Sequence, residues 1–317
     1  MKKKLFVTLG VLLGIVLIGL GFAGNYFYGE AVKRGVHVEL YKGSESATAK
    51  VEAENNIIQT AKKWYQEQTF ETVTMVSYDG LTLKADYLDH DFSAGKTVIL
   101  AHGYRGHKEQ MDDYVKFYYD QGFDVLMPDA RGHGESEGDY IGYGWHDRKD
   151  YQGWIDLLIE DYNAKQIFLH GNSMGAATVL MTSGEILPEE VKGLIADSGY
   201  TTVEEELTHQ LNHLYGLPAF PLLDITSLMT KIRAGYSFEE ASAIDQVRKN
   251  TKPLLMIHGD QDELVPTEMA YKIYEAAGGE KDLWIVAGAG HTKAYTVATK
   301  DFQQTVQSFL NRTLSNE

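Results

Sequence analysis

The sequence contains no cysteine among its 317 residues, and it is poor in basic side chains. Without cysteine there is no disulfide framework, no cysteine-ligated metal and no thiol nucleophile. Only 29 lysines and arginines stand against 45 aspartates and glutamates, so the formal net charge is −16. A nucleic-acid partner is therefore not expected, because a chain with this balance lacks the basic face that neutralises phosphates.

One long apolar run lies at the N-terminus. Residues 5–24 are uncharged and mostly apolar, and three lysines precede them at 2–4. A helix of twenty residues spans about 30 Å, which is the thickness of the hydrocarbon core of a bilayer. We therefore predict a single-pass cell-membrane anchor over residues 1–28, with the rest of the chain outside the cell. The alternative is a signal peptide cleaved after the small-x-small trio Gly-Phe-Ala at 21–23, which would release a secreted protein.

The pattern beyond the anchor predicts two further segments. Residues 29–68 are mixed and polar, which indicates a stalk or docking segment with a break at 43–46 and a helix over 47–68. Residues 69–317 alternate short apolar runs with helical stretches such as 109–121, which is typical of an α/β domain with a mostly parallel sheet covered on both faces. The predicted strands are 71–77, 81–88, 96–101, 123–127, 167–170, 191–197, 253–258 and 282–286.

The alternation is interrupted once, at about 200–250. This stretch has no strand pattern and is rich in leucine, tyrosine and phenylalanine. We interpret it as helices that form a small cap over the edge of the sheet, with additional scaffold helices as the equal alternative. Its aromatic side chains are expected to serve packing rather than to line a pocket. The acidic run 204–206 is interpreted only as the start of a helix, where negative charge is favourable.

A Gly-x-Ser-x-Gly motif stands at 171–175, between an apolar run and a helix-prone, alanine-rich segment. Such a motif is typical of a nucleophile elbow, a sharp strand-to-helix turn that exposes a serine hydroxyl. The turn strains the serine backbone, so the flanking Gly171 and Gly175 are required to be small. The helix N-terminus that follows favours the negative charge that develops during acyl transfer. Ser173 is thus the candidate nucleophile.

A serine nucleophile needs a base, and the base needs a third group that fixes its tautomer. His291 lies in a glycine-rich loop directly after the last predicted strand, where the base belongs. His258 lies inside a strand end and is interpreted as a packed histidine. For the acid, Asp262 is better placed than Asp260, which is expected to shape the turn. Asp197, after an earlier strand, remains a minor rival.

The tetrahedral intermediate of acyl transfer needs two N–H donors. Met174, directly after the nucleophile, is predicted to supply one of them. Tyr104, in the loop after strand 96–101, is predicted to supply the other. Because both act through the backbone, their side chains are expected to be free for substrate contacts.

Five blocks together carry a resemblance to a known superfamily. They are His-Gly-Tyr-Arg-Gly at 102–106, Pro-Asp-Ala-Arg-Gly-His-Gly-Glu-Ser at 128–136, the serine motif, His-Gly-Asp-Gln-Asp at 258–262 with Val-Pro at 265–266, and Gly-His at 290–291. In this order they resemble the α/β-hydrolases, and within them the serine-aminopeptidase-like or monoglyceride-lipase-like group, similar to membrane-anchored Bem46-type bacterial hydrolases. The resemblance covers about 65–314 and implies Ser173, Asp262 and His291 as a catalytic triad, with Tyr104 and Met174 as oxyanion donors.

These observations predict a serine hydrolase that cleaves small carboxylic esters through an acyl-enzyme, by default with short or medium acyl chains. A peptidase or acyl transferase with the same triad is one alternative, and a non-catalytic binding protein on the same scaffold is another. No cofactor and no metal are expected. His209 and His213 stand one helical turn apart, but the glutamate of a His-Glu-x-x-His motif and an obvious third ligand are missing.

Overall fold

The computed structural model describes residues 2–36, 38 and 55–315. In this part of the chain, eight strands form one sheet, and helices cover both of its faces. The strands are β1 (Glu71–Val76), β2 (Thr82–Leu88), β3 (Lys96–Ala101), β4 (Asp124–Pro128), β5 (Gln166–Asn172), β6 (Val191–Asp197), β7 (Leu254–Gly259) and β8 (Lys281–Val286). The α-helices are α1 (Lys2–Ala31), α2 (Asn56–Gln66), α3 (Asp112–Tyr119), α4 (Asp147–Glu160), α5 (Met174–Thr182), α6 (Val203–Tyr215), α7 (Leu222–Ala234), α8 (Ala243–Val247), α9 (Thr267–Ala276), α10 (Ala294–Val297) and α11 (Thr299–Ser315).

The strand order in the sheet is β1-β2-β4-β3-β5-β6-β7-β8. β1 pairs with β2 and β2 pairs with β4 in antiparallel fashion, whereas all other neighbours are parallel. The carboxyl ends of β3, β5, β6, β7 and β8 therefore meet at one edge of the sheet. Ligand sites of open α/β sheets form at this edge. The predicted mostly parallel sheet is confirmed.

Alternate residues of the central strands enter two separate apolar clusters. On β3, Ile99 and Ala101 face one cluster and Val98 and Leu100 face the other, and all four are buried. The first cluster contains side chains of α4, α5 and α9, and the second contains side chains of α3 and α11. Burial on both faces explains why these strands read as continuous apolar runs rather than alternating ones.

Two predicted helices differ from the observed ones. The stretch predicted as a helix over 109–121 begins with a 3₁₀ turn, Lys108–Met111, and only then continues as α3. In the predicted helix over 47–68, the structure has α2, which is capped by the Asn55 side chain. The first part of that prediction and the break at 43–46 lie outside the described residues.

Helix α1 is longer than the apolar run and ends against the rest of the protein. Its span from Lys3 to Ala31 is long and apolar enough to cross a membrane. Val32, directly after it, is fully buried in the first cluster, and its carbonyl accepts a hydrogen bond from the Ile141 N–H. The Arg34 guanidinium donates to the carbonyls of Gly134, Ser136 and Gly138. The beginning of the predicted 29–68 segment is thus docked on the domain.

The 200–250 stretch consists of helices α6, α7 and α8, and no strand occurs there. Thr202 caps α6 by accepting a hydrogen bond from the Glu205 N–H, and Gly216 ends it in the left-handed conformation. Helix α7 packs along the end of α1, where the Ile225 side chain contacts Gly24 so closely that a Cβ would not fit. The cap therefore joins the N-terminal helix to the carboxyl-end edge of the sheet.

Candidate active site

Ser173 lies at the junction of β5 and α5 with φ 56° and ψ −117°, a conformation that L-residues rarely adopt. Its N–H donates to the Asp197 carbonyl over 2.9 Å. A Cβ on Gly171 would lie 2.2 Å from the Gly175 oxygen, and a Cβ on Gly175 would lie 2.1 Å from the Ala101 oxygen. Both positions therefore admit only glycine, and the strained turn presents the serine hydroxyl to the cavity beyond the sheet.

The structure brings Ser173, His291 and Asp262 into one hydrogen-bonded chain. The distance from His291 Nε2 to Ser173 Oγ is 2.7 Å, and the distance from His291 Nδ1 to Asp262 Oδ2 is 2.8 Å. The three residues follow β5, β7 and β8, so the parallel topology collects them at the same edge. This geometry lets the imidazole accept the serine proton while the carboxylate stabilises the imidazolium.

The Asp262 carboxylate is buried and held by several donors. Its Oδ1 accepts the N–H groups of Leu264 (3.0 Å) and Val265 (2.8 Å), while Oδ2 faces His291. Burial alone would raise the pKa of Asp262, but the His291 charge and the bonds from both neighbouring histidines hold that pKa well below its ordinary value. The carboxylate is therefore ionised whenever the imidazole needs a counter-charge.

The second histidine beside Asp262 is His258, which the sequence pattern had suggested to be a packing residue. Its Nε2 lies 2.9 Å from the Val265 carbonyl and 3.2 Å from Asp262 Oδ2. Both are acceptors, so Nε2 carries the proton. Burial would lower the pKa of His258, but the Asp262 carboxylate and the Val265 carbonyl raise it above its ordinary value. The sequence contained one signal of this contact, because His258 and Asp262 are four residues apart. That spacing is also typical of an ordinary turn at the end of a strand.

The other two acid candidates do not bond to His291. Asp260 Oδ1 accepts the Gly288 N–H over 2.7 Å, so this carboxylate braces the loop that carries His291. Asp197 is fully buried, and its Oδ1 accepts from the Ser198 hydroxyl at 2.9 Å. Burial raises the pKa of Asp197 to about 6, since little compensates for the loss of water. Among the three aspartates, only Asp262 has the position that a triad acid requires.

The loop that carries Tyr104 is positioned by two buried histidines. His102 accepts the Ala130 N–H at Nε2 (3.0 Å), so its Nδ1 donates to the Gly103 carbonyl. His133 accepts the Arg105 N–H at Nε2 over 3.1 Å. Burial lowers the pKa of both rings, that of His133 to about 3, so they stay neutral and keep these tautomers. Neither histidine had been assigned a role from the sequence.

Of the two predicted oxyanion donors, Met174 directly follows Ser173, and Tyr104 lines the same cavity as Ser173. Within the described ranges, the N–H groups of Tyr104 and Met174 have no hydrogen-bond acceptor in the protein, so both can donate to an oxyanion. The expectation that both side chains are free for substrate contacts is wrong for Met174, whose side chain is buried in the core. Tyr104 lines the cavity that contains Ser173, while its hydroxyl donates to the Ala31 carbonyl over 2.8 Å.

A cavity of about 330 Å³ opens beside Ser173 and His291. Its wall is mainly apolar and comes largely from the cap, with Leu207, Leu211, Leu214, Leu222, Leu223 and Phe238 among its members. The interpretation of the cap aromatics was partly wrong, because Tyr215 and Phe238 line this cavity, whereas Tyr236 is core and Phe220 is exposed. The volume lies at the lower end of the range for small-molecule sites.

Two buried polar side chains of α6 also line the cavity, Glu206 and Gln210. The Gln210 Nε2 donates to Glu206 Oε1 (3.0 Å) and to the Leu264 carbonyl (2.6 Å). The interpretation of 204–206 as a mere helix start is therefore wrong for Glu206, since the helical period turns it inward while Glu205 pairs with Lys272. The signal was present as two polar side chains four residues apart on the face of α6 that also carries leucines.

The sequence places His209 and His213 one helical turn apart on α6. The two rings stack with centroids 5.8 Å apart, and His209 Nε2 contacts the Glu263 carbonyl at 2.8 Å. In the part of the chain that the structure describes, no group of three or more histidine, aspartate or glutamate side chains is arranged to hold a metal ion.

Comparisons with known proteins agree with this architecture. The family model described as serine aminopeptidase, S33, matches residues 93–227. An uncharacterized protein of Bacillus subtilis, YqkD, is 28% identical over 312 residues, which is 98% of this chain and 97% of the relative. The human monoglyceride lipase is 25% identical over 68% of this chain and 82% of its own length. The structure of the Pyrococcus furiosus esterase Pf2001 superposes with a TM-score of 0.64 at 25% identity, covering 79% of this chain and 94% of the esterase.

Proposed function

Because this chain belongs to the α/β-hydrolase superfamily and is an esterase- or lipase-like enzyme, we propose that it cleaves carboxylic esters with a Ser173–His291–Asp262 triad. The observation that supports this most is the unbroken chain of hydrogen bonds from Asp262 through His291 to Ser173. The apolar wall beside the serine supports an ester with an acyl chain as substrate.

In the proposed reaction, Ser173 Oγ attacks the ester carbonyl while His291 Nε2 takes the hydroxyl proton. The Asp262 carboxylate stabilises the imidazolium through Nδ1. The N–H groups of Tyr104 and Met174 bind the oxyanion of the tetrahedral intermediate. In enzymes of this kind, removal of one such donor lowers kcat by about 10²–10³-fold. His291 then protonates the leaving alcohol, and the acyl group remains on Ser173.

Deacylation uses the same groups in the opposite sense. A water molecule gives its proton to His291 and attacks the acyl-enzyme, and the carboxylic acid leaves as Ser173 regains its proton. His258 acts on the reaction indirectly. Its contact with Asp262 Oδ2 fixes the position of the carboxylate, and the carboxylate orients His291. No metal or cofactor is needed for either step.

We also propose that α1 anchors the enzyme in a membrane. The apolar side chains of its first 18 residues are largely exposed, for example Phe6 and Ile18, so they are not part of the protein core. A row of exposed apolar side chains of this length is stable in the hydrocarbon of a bilayer and not in water. The lysines before the run favour a cytoplasmic N-terminus with the catalytic domain outside the cell.

The proposal is tested by labelling the full-length protein with a fluorophosphonate probe, which reacts with an activated serine. We expect labelling of the parent protein, none of Ser173→Ala, and a large loss in His291→Ala because the hydroxyl loses its base. Equal labelling of parent and Ser173→Ala would show that another residue reacts. No labelling of a folded parent protein would contradict a working nucleophile and favour a binding protein on this scaffold.

A further inference from the structure

The last turns of α1 form part of the cavity that contains the candidate nucleophile. Phe27, Glu30 and Ala31 line it together with Ser173. The Phe27 ring meets the Tyr215 ring of the cap edge-on, with centroids 5.4 Å apart. The helix that resembles a membrane anchor thus also contributes side chains to the substrate cavity.

The same turns hold the loop that carries an oxyanion donor. The Ala31 carbonyl accepts hydrogen bonds from the hydroxyls of Tyr104 and Tyr143, both at 2.8 Å. The Arg105 guanidinium donates to the Glu30 carbonyl over 2.7 Å. Since the carbonyls at a helix end have no partner within the helix, these side chains satisfy them. These hydrogen bonds therefore fix the end of α1 in a defined position relative to the candidate active site.

The position of the cavity along α1 relates it to the membrane surface. The mostly apolar run ends at Gly24, where Asn25 follows it, and Phe27 and Ala31 lie about 4.5 and 10.5 Å beyond Gly24 along the helix axis. The headgroup region on each side of a bilayer is about 5–8 Å deep. Helix α7 packs against α1 at Gly24 and leaves Leu228 (61% exposed) and Ile232 (75% exposed) uncovered. With α1 along the membrane normal, Phe27 thus lies at the level of the headgroups and Ala31 just beyond it, and Leu228 and Ile232 belong to the helix that packs beside this part of α1.

We propose that the end of the membrane helix, Phe27–Ala31, is part of the acyl-binding wall, and that the enzyme takes an amphiphilic ester directly from the membrane that holds it. This inference rests on the proposed ester hydrolysis and names its substrate class. The ester group would lie at headgroup depth beside Ser173, and the acyl chain would contact Phe27 and the cap leucines. Recognition of the acyl chain then depends on the membrane helix itself.

The acyl-wall part is tested by kcat/KM of the full-length protein on 4-nitrophenyl esters from acetyl to dodecanoyl. We expect Phe27→Trp to lower kcat/KM for the dodecanoyl ester about tenfold relative to the acetyl ester, because the larger ring narrows the wall. Phe22→Trp is the matched control, since Phe22 is on the same helix but 74% exposed and outside the cavity. Phe27→Ala should also change the ratio of kcat/KM between the dodecanoyl and acetyl esters, although it does not narrow the site. This second variant keeps the proposal testable if the tryptophan variant does not fold.

The proposal that Phe27 belongs to the acyl-binding wall would be overturned by either of two results. One is an unchanged ratio of kcat/KM between the dodecanoyl and acetyl esters in both Phe27 variants, and the other is an equal change of this ratio in the Phe22 variant.

Membrane delivery is tested with a hexadecanoyl ester of 4-methylumbelliferone in phosphatidylcholine vesicles. Hydrolysis should be faster when enzyme and ester share a vesicle than when they are in separate vesicles, and equal rates would overturn delivery. Failure of the proposed function is distinct, because the parent protein would then hydrolyse none of these esters.

A separate observation concerns the polar pair of α6 in the same cavity. Glu206 and Gln210 are each more than nine-tenths buried. In the described residues, Glu206 Oε2 and Gln210 Oε1 have no hydrogen-bond partner. The bonds that Gln210 Nε2 makes to Glu206 and Leu264 fix its amide, so Oε1 is left as an acceptor. Buried polar atoms are nearly always paired, so an unpaired pair lining a cavity indicates a ligand.

We further infer that Glu206 and Gln210 bind a hydroxyl group of the substrate. A hydroxyl both donates and accepts, and thus it can satisfy an amide oxygen and a carboxyl group together. Burial raises the pKa of Glu206 to about 8, so at neutral pH the carboxyl is protonated and can donate. A neutral carboxyl gives no advantage to a cationic ligand. This inference also rests on the proposed esterase activity, and it concerns discrimination between esters.

The hydroxyl could belong to the alcohol or to the acyl part of the ester. We would compare ethyl butanoate with 2-hydroxyethyl butanoate and with ethyl 4-hydroxybutanoate. The parent enzyme should prefer one hydroxylated ester, and Glu206→Leu should reduce that preference about tenfold by removing one partner. Glu206→Gln should keep most of this preference, and Glu205→Leu, at the neighbouring half-buried residue outside this cavity, should not alter it. Absence of any preference in the parent, or an equal loss for all three esters, would overturn the inference.

Discussion

Ser173→Ala should lower kcat for ester hydrolysis by about 10³–10⁶-fold. In the proposed mechanism the loss is large because the hydroxyl is the attacking group, and the groups that activate it cannot act without it. The remaining activity would come from substrate binding and from the N–H groups of Tyr104 and Met174, which we propose as the oxyanion donors. The measurement is kcat on a water-soluble 4-nitrophenyl ester at saturating substrate.

A matched serine controls for folding. Ser183 follows the same helix α5, and its buried hydroxyl donates to the Leu180 carbonyl. Ser183→Ala should leave kcat within about twofold, because this hydroxyl does not reach the cavity. Thermal unfolding followed by circular dichroism should give similar midpoints for Ser173→Ala and the parent. A folded Ser173→Ala with parental kcat would refute the proposed nucleophile.

Asp262→Asn should lower kcat by about 10⁴-fold. An asparagine can present its amide N–H to His291 Nδ1, which would favour the tautomer that has its proton on Nε2 and cannot accept one from Ser173. The imidazolium would also lose its counter-charge, and the His258 Nε2–H would lose the carboxylate that raises the pKa of that ring. The expected pattern is a fall in kcat with little change in KM, since the carboxylate does not touch the substrate.

The two rejected acids supply the controls for this prediction. Asp260→Asn should keep most of the activity, because an amide oxygen can still accept the Gly288 N–H. Asp197→Asn should also keep kcat within about tenfold, since Asp197 bonds to Ser198 and not to His291. If instead Asp197→Asn cost as much as Asp262→Asn, the acid would have to be reassigned to the earlier strand.

The local motifs were readable from the sequence because they are short and each has its own physical reason. Gly-x-Ser-x-Gly demands a turn in which only glycine fits at 171 and 175, and the structure has that turn with φ 56° at Ser173. The strand runs were visible because strands buried on both faces are continuously apolar. The catalytic roles of Ser173, Asp262 and His291 remain predictions that the kinetic experiments test.

Other features depend on residues far apart in the chain and had no local signal. His258 looks like a strand-end packing residue until β7 and its loop are folded back, which sets it beside Asp262. Glu206 belongs to an acidic run that is typical of any helix start, and only the seating of α6 over the sheet buries it. The contact of Phe27 with Tyr215 joins segments that are nearly two hundred residues apart.

By itself the sequence determined the α/β class, the succession of strands along the chain, the serine elbow and an apolar N-terminal helix of membrane length, because these follow from periodicity, residue size and run length. Only the tertiary structure decided which aspartate faces His291, what lines the cavity, and that the end of α1 closes part of it. These outcomes depend on distances between side chains that the chain brings together after the sheet has formed. No pattern within a short window contains such distances.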